Sequence, residues 1–367
     1  MDRLDDILKA HVAQGEDTTN KLLGAAFIVT NKDGFLYSGS AGRSRMDTAS
    51  RPFGTDTFTW IASCTKLITS SCVLHLVEQG KAGLDDDLRP LVPELAAMQI
   101  LRGFQREKPI LEQNTKPITF RVLLTHTLGL PYDMIDPDVV KYSQFISRTD
   151  WCMSWNRNGF NTPIRFTPGE GWLYGPAPDW AGLALEAITG DTLGAYMQRH
   201  VLDPLKMQDT GFWPAKLQDR NISRRGVEPV ERKEEGGKLE GVNAWQPEEH
   251  EIESGGAGLY STADNYAKFL QGFLRGEVIG EKIMQEMFAP QLNEKQRSAM
   301  EAIAYEDPAA RWGFVPEFLE GTPINHGLGG IINLKDVEGK RRKGSMTWSG
   351  MVNSRWVSLA MLPIANS

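Results

Sequence analysis

Thr59-Trp60-Ile61-Ala62-Ser63-Cys64-Thr65-Lys66-Leu67-Ile68-Thr69 contains the only Ser-x-x-Lys of the chain. The stretch runs from an apolar, β-branched lead into a helical pattern. Leu67, Ile68, Cys72, Val73, Leu76 and Val77 recur at the spacing of one helix face, and Gly80 closes the run. Residues three apart on a helix lie one turn from each other. The Ser63 hydroxyl and the Lys66 amine are therefore expected to meet at the N-terminus of a helix buried in the core. Serine is a poor nucleophile until a neighbour takes its proton, and a lysine can do so when burial or nearby charge favours its neutral form. Taken alone, the tetrad also fits a helix-capping serine followed by a surface lysine.

The bulk numbers narrow the classes. A chain of 367 residues can bury a large core as one large or two modest domains. Its 41% hydrophobic and 24% charged content is that of a soluble globular protein. A net charge of −7 with no basic stripe argues against a nucleic-acid partner, and Arg341-Arg342-Lys343 reads as a solvated turn. The histidines show no metal-ligand spacing and no phosphate loop appears, so neither a metal nor another cofactor is expected. Cys64, Cys72 and Cys152 make no disulfide framework, which suits a reducing compartment. The acidic, amphipathic start at Met1-Asp2-Arg3-Leu4 is unlike a secretory signal, and no apolar run is long enough to span a bilayer. The expectation is a soluble cytoplasmic protein without a membrane partner.

Residues 2–14 pattern as a helix with Leu4, Ile7, Leu8 and Val12 on one face. Leu22–Val29, the turn Asn31-Lys32-Asp33-Gly34 and Phe35–Gly39 read as a β-hairpin. A mostly helical stretch then runs from Ser63 to about His250, with an exposed charged segment at Arg220–Lys238. Strand patterns return at Gly330–Leu334, Gly344–Trp348 and Val357–Leu362. This order predicts an α+β fold: one antiparallel sheet built from both termini and flanked by helices, with a large, mainly helical inserted lobe. The α/β lobe is expected over about 1–62 and 251–367 and the helical lobe over about 63–250, all within one domain, with a small-molecule cleft between them.

Two further segments carry chemistry. In Thr167-Pro168-Gly169-Glu170-Gly171-Trp172-Leu173-Tyr174-Gly175-Pro176, a Pro-Gly turn delivers Tyr174 to the lip of a helix starting near Asp179. There its hydroxyl can bond the Ser63–Lys66 pair; an interface tyrosine with its hydroxyl in water is the alternative. In Lys343-Gly344-Ser345-Met346-Thr347-Trp348-Ser349-Gly350-Met351, a strand ending in Ser-Gly lets a ligand approach the backbone and exposes N–H donors. An edge strand with a glycine bulge is the alternative.

Together these segments resemble the serine β-lactamase-like and penicillin-binding superfamily, and within it the class C-like esterases and fungal acyltransferases of the lovastatin acyltransferase type. The resemblance extends over nearly the whole chain. It includes Leu123-Leu124-Thr125-His126-Thr127-Leu128-Gly129-Leu130, Asp179-Trp180-Ala181-Gly182 and Gly255-Gly256-Ala257-Gly258-Leu259-Tyr260-Ser261-Thr262, in order and at the family's spacing. It implies Ser63 as nucleophile, Lys66 as its general-base partner and Tyr174 as the second proton-transfer residue. The oxyanion donors would be the backbone N–H groups of Ser63 and Met351. Trp348, Ser349, Gly350 and Trp172 would contact substrate. The family's Lys-Thr-Gly is matched here by Trp348-Ser349-Gly350, which removes the cation that holds a β-lactam carboxylate; Lys343-Gly344-Ser345 is a rival register with poorer spacing. Pro176 stands where Tyr-x-Asn places an amide. Both departures point to esters or thioesters over peptides and β-lactams. His126 has no Gly-x-Ser-x-Gly elbow to serve, and is expected to be a hydrogen-bonded structural histidine. His326-Gly327-Leu328-Gly329-Gly330 reads as a turn into a strand.

The expected activity is acyl transfer through a Ser63 acyl-enzyme, from an ester or a carrier-protein thioester to a small-molecule alcohol in secondary metabolism. The partners implied are acyl donor, alcohol acceptor and an acyl carrier domain. Ester hydrolysis is the nearest alternative, and an acyl-binding homologue without turnover is the alternative from another class. The family pattern continues beyond the last strand with a further strand and a long helix, so by that pattern the C-terminus, ending at Ser367, looks truncated.

Overall fold

Helix α1, Asp2–His11, lies on the hairpin of β1, Gly24–Thr30, and β2, Phe35–Gly42, in the computed structural model, which describes residues 2–307, 311, 313, 314, 316 and 318–358. The Tyr37 hydroxyl donates to Asp5 Oδ1 at 2.7 Å and ties helix to hairpin. The hairpin turn forms where the sequence predicts it. Asn31 Oδ1 accepts from the backbone N–H groups of Asp33 and Gly34, each at 2.9 Å, which is how a short polar side chain specifies a turn. The helix Ala263–Leu274 covers β1, and its N-terminus is capped by the Thr262 hydroxyl accepting from Asn265 N at 3.1 Å.

These elements belong to one of two compact units: Met1–Ile61, Gln198–Gln246 and Leu259–Val278. The second unit contains Ala62–Met197, Pro247–Gly258 and Ile279–Ser367. This division differs from the expected lobes at 1–62 plus 251–367 and 63–250. The reason lies in the contacts. Residues 198–246 and 259–278 carry backbone partners of the N-terminal segment: Phe58 N donates to Arg225 O at 3.0 Å and Ile61 N to Leu259 O at 3.0 Å. The C-terminal strands pack on the residues that follow Ala62.

Within the second unit, α2 spans Thr65–Glu78, and every residue from Thr65 to Leu74 is buried, so the helix has no polar face. Each fully buried Leu, Ile or Val contributes roughly 1.5–3 kcal/mol. Helix α2 packs against α3, Ala177–Thr189, which ends at Gly190 in the left-handed conformation. Between them in sequence the structure adds a hairpin that the sequence reading assigned to helical territory: β3, Gln99–Gln105, and β4, Lys108–Gln113. Its turn residues, Arg106 and Glu107, both have positive φ (46° and 64°). Such turns normally announce themselves with Asn or Gly, and here neither is present.

The C-terminal sheet has four antiparallel strands in the order β8-β7-β6-β5: β5 is Ile324–His326, β6 Ile331–Asn333, β7 Met346–Ser349 and β8 Arg355–Ser358. Trp348 pairs with Trp356, and Ile331 with both Thr347 and His326. β7 is internal, which rules out the edge-strand alternative. The α+β class holds. The single sheet expected from both termini is, among the described residues, two sheets: the N-terminal hairpin and this one. The strand predicted over Val357–Leu362 is described only to Ser358; its remainder lies outside the described residues. Among the described residues no helix is long and apolar enough to cross a membrane.

One buried ion pair braces the second unit. Arg148 Nη1 meets Asp133 Oδ2 at 2.5 Å, with both side chains almost fully buried. Arg148 also donates to the carbonyls of Asn158 and Gly159, and Asp133 accepts from Cys152 N at 3.2 Å. Removing one partner strands a buried charge. Asp133→Ala is therefore expected to destabilise the chain by about 3–5 kcal/mol, read as a lower urea midpoint at unchanged slope.

Candidate active site

Ser63 lies in a single 3-10 turn, Ala62–Cys64, that feeds α2; it stands just before the α-helix rather than inside it. Ala62 takes a left-handed φ of 45°, and the Thr65 hydroxyl donates back to Ala62 O at 2.6 Å. The turn leaves the Ser63 side chain part-exposed while Lys66, one turn on, is 4% exposed.

The three sequence-predicted side chains meet. Ser63 Oγ lies 2.6 Å from Tyr174 Oη, and Lys66 Nζ donates to Ser63 Oγ at 3.0 Å. Nζ is likewise 2.8 Å from Gly256 O and 3.1 Å from Tyr132 Oη. Three polar atoms thus lie within hydrogen-bond reach of Nζ. Nζ also lies 4.8 Å from the centre of the Tyr174 ring, within cation–π range.

Tyr132 is the residue that sequence reading passes over. The motif Leu123–Leu130 stops two positions before it, and a lone tyrosine after Pro131 carries no spacing signal. Burial is the main reason its hydroxyl pKa is pushed well above the usual tyrosine value, and nearby Tyr174 and Asp179 add to the effect. The two tyrosines are brought together by backbone contact. Leu173 N donates to His126 O at 3.0 Å and Gly169 N to Thr127 O at 2.8 Å. A Cβ on Gly175 would sit 2.0 Å from Leu130 O, so only glycine lets the Tyr174 segment approach the chain leading to Tyr132.

Aromatic rings form the wall behind Tyr174. Trp348, 3% exposed, lies 5.1 Å from the Tyr174 ring and stacks on Phe314 at 5.4 Å. Trp172, 2% exposed, meets His126 and Phe314 edge-on at 6.1 Å. The indole N–H groups of both tryptophans have no hydrogen-bond partner among the described residues. Ser349 Oγ donates to Gly313 O, and Gly350 N donates to Ser354 O at 2.7 Å. Met351, more than half exposed, sits in the turn after β7. That turn is held near the serine by Cys64 Sγ donating to Ser354 Oγ at 3.3 Å. Burial pushes the Cys64 thiol up to about 12, so it is not a competing nucleophile at neutral pH. Lys343 precedes β7, and its backbone N–H donates to Asp336 Oδ1 at 2.7 Å.

His126 departs from expectation. It has φ 58° and is 2% exposed, and its Nδ1 has no hydrogen-bond partner among the described residues, where a bonded structural histidine was expected. Its ring meets that of His326 edge to face at 5.5 Å, and both line a small cavity beside Lys66 and Trp348. His326 ends β5, so His326–Gly330 is the expected turn, but its side chain belongs to the aromatic wall. His326 Nδ1 contacts Gly327 O at 2.6 Å; a carbonyl only accepts, so Nδ1 carries the proton and Nε2 is an acceptor with no hydrogen-bond partner among the described residues. Burial lowers both histidines, His126 well below the usual value with the His326 and Lys66 charges adding, and His326 to about 4.

An imidazole held at about 4 in the fold and near 6.5 unfolded binds more protons when unfolded between those values, so stability falls as pH drops through that window and levels below it. The expected loss from His326 is about 3 kcal/mol between pH 6.5 and 4. Thermal midpoints taken across this range should drop steeply in the wild type and less in His326→Phe.

Comparison with known proteins follows the same lines. The Beta-lactamase family model matches residues 4–359. The chain is 32% identical to lovastatin esterase of Penicillium rubens, over 92% of this chain and 86% of that one. It is 32% identical to monacolin J acid methylbutanoyltransferase of Aspergillus terreus, over 83% of this chain and 74% of that one. Unliganded simvastatin synthase (LovD) from Aspergillus terreus superposes with a TM-score of 0.83 at 28% identity, covering 95% of this chain and 86% of that one. By the extent of the family match and these relatives, the chain belongs to the beta-lactamase family.

Proposed function

We propose that this enzyme transfers acyl groups through a covalent intermediate on Ser63. The observation that carries the reading is that Ser63 Oγ lies within hydrogen-bond reach of both Tyr174 Oη, at 2.6 Å, and Lys66 Nζ, at 3.0 Å. Ser63 Oγ attacks the carbonyl carbon of an ester or thioester, and its proton passes to the Lys66–Tyr174 pair. Backbone N–H groups of Ser63 and Met351 receive the oxyanion. The pair then protonates the departing alcohol or thiol. In the second half an alcohol attacks the acyl-serine and gives up its proton to the same pair, which passes it to Ser63 Oγ as the acyl–oxygen bond breaks and the new ester leaves.

The substrate class follows from the wall. Trp172, Phe314 and Trp348 offer apolar ring faces, and Trp348-Ser349-Gly350 brings no cation, so a neutral, apolar acyl group and acceptor fit better than a carboxylate-bearing lactam. A relative named monacolin J acid methylbutanoyltransferase supports a methylbutanoyl group and monacolin J acid as the donor and acceptor pair to try first; an acyl carrier domain is the thioester donor that the family resemblance implies. The relative named lovastatin esterase supports the second reading, in which water replaces the alcohol.

The test is intact mass after incubation with a fluorophosphonate and with p-nitrophenyl butyrate. One adduct on the wild type and none on Ser63→Ala is expected. Product analysis with alcohol and water competing then separates transfer from hydrolysis. A folded wild type that takes no adduct would leave a ligand-binding protein without turnover.

A further inference from the structure

Asp179 has no part in the acyl-transfer steps just described, yet it is a buried acid, 3% exposed, in the first turn of α3. Burying a carboxylate costs several kcal/mol unless other groups compensate. Its Oδ1 accepts from Ser254 Oγ at 2.6 Å and from Gly256 N at 3.0 Å. The carbonyl of that same Gly256 receives Lys66 Nζ at 2.8 Å. One residue, Gly256, is thus held by Asp179 at its N–H and holds Lys66 at its C=O, across two successive peptide units.

The segment is clamped from both sides. Thr69 Oγ1, on α2, donates to Gly255 O at 2.8 Å, and Ala257 N donates to Ser254 Oγ at 3.1 Å. A Cβ on Gly256 would fall 2.2 Å from Asp179 Oδ2, and one on Gly255 would fall 2.9 Å from Pro178 O. The two glycines are what let the peptide lie flat between α2 and the carboxylate. Burial raises the Asp179 pKa, while the Lys66 charge, the Ser254 hydroxyl and the Gly256 N–H pull it back down. Tyr132 and Cys152 also feel the Asp179 charge, and both are themselves pushed up by burial. Tyr174, His126 and His326 also stand near Lys66. Among these groups Asp179 is the acid placed to balance the lysine.

We propose that Asp179 is the positioning residue for Lys66: through Gly256 it fixes the amine against Ser63, and its negative charge balances the positive charge that forms there when the Ser63 proton is taken up. This rests on the acyl-transfer reading of the Ser63 site. The geometry gives the carboxylate two separable duties, one met by its shape and one by its charge. Asparagine keeps the first, because its carbonyl oxygen accepts from Ser254 and Gly256 as Oδ1 does. It loses the second.

The experiment is the pH profile of kcat/KM for p-nitrophenyl butyrate in wild type, Asp179→Asn and Ser254→Ala, with folding checked by thermal midpoint. Loss of the negative charge lets the base pair give up its proton more readily. The acid limb of the Asp179→Asn profile is therefore expected to move to lower pH by about one unit, with a plateau about tenfold lower. Ser254→Ala weakens the hold on the ionised carboxylate and should move the limb the same way by less, which keeps the test alive if the asparagine variant fails to fold. A purely structural acid would lower the thermal midpoint and leave the limb in place. An unmoved limb in a folded variant that still takes the fluorophosphonate adduct overturns the Asp179 role alone. Absence of the adduct in the wild type overturns the acyl-enzyme reading and this one with it.

Discussion

Ser63→Ala is expected to lower kcat/KM for an activated ester by roughly 10⁴- to 10⁶-fold, and Lys66→Met by a comparable factor. The two side chains touch at 3.0 Å, and in the proposed mechanism they share one proton, so their losses should not multiply. Without the serine there is no atom for the acyl group to join. Without the lysine the hydroxyl keeps its proton and loses the donor that holds it in line. The double variant should therefore be about as slow as the worse single one, the residue of activity coming from backbone donors and binding. Steady-state rates for the three proteins, with circular dichroism to show that they fold, decide this. Losses that multiply would mean that Lys66 acts elsewhere than on Ser63.

The second large effect separates the two tyrosines. Tyr174 Oη touches Ser63 Oγ, whereas Tyr132 Oη touches only Lys66 of that pair. Tyr174→Phe removes a proton-transfer group and is expected to cost about 10²–10⁴ in kcat. Tyr132→Phe takes one acceptor from a buried ammonium and is expected to cost about tenfold, in keeping with a hydrogen bond to a charged group worth roughly 1.5–3 kcal/mol of which part is recovered by relaxation. Rapid-mixing measurements of p-nitrophenol release would show the acylation step slowed far more in Tyr174→Phe. Equal losses would make Tyr132 a second proton-transfer residue.

Much of this site was legible in the chain, for reasons that differ by residue. Ser63 and Lys66 announce themselves because a helix converts their spacing into contact, and because an apolar stripe follows at once. Tyr174 is legible through the Pro168-Gly169 turn that delivers it. Tyr132, Asp179 and Gly256 acquire their places from tertiary contact: a tyrosine packed by Gly175 against Leu130, an acid reached by a peptide from 77 positions away. No local pattern encodes such meetings. The hairpin Gln99–Gln113 escaped because its turn uses Arg and Glu in left-handed conformations, a cost that the pairing of its strands repays but that propensity cannot foresee. His326 was read correctly as the entry to a turn, yet its side chain could be placed in the site only once β5 and α2 were seen in the same unit.

The turn that follows β7 has a consequence for how the protein is made. Cys64 and Ser354, which touch, are 290 positions apart, and the unit that contains them is assembled from three separate stretches of chain. During synthesis, domains fold as their residues emerge, N-terminal parts first. Here the serine leaves the ribosome long before Trp348 and the Met351 turn exist to wall it in, so the nascent chain carries the Ser63 turn and the start of α2 without the cover that the C-terminal sheet later supplies. Long-range closure of this kind is slow. Soluble yield should therefore depend on growth temperature and chaperone supply more than the stability of the finished fold suggests, and a ribosome-stalled chain ending before β7 should bear Ser63 but take no fluorophosphonate.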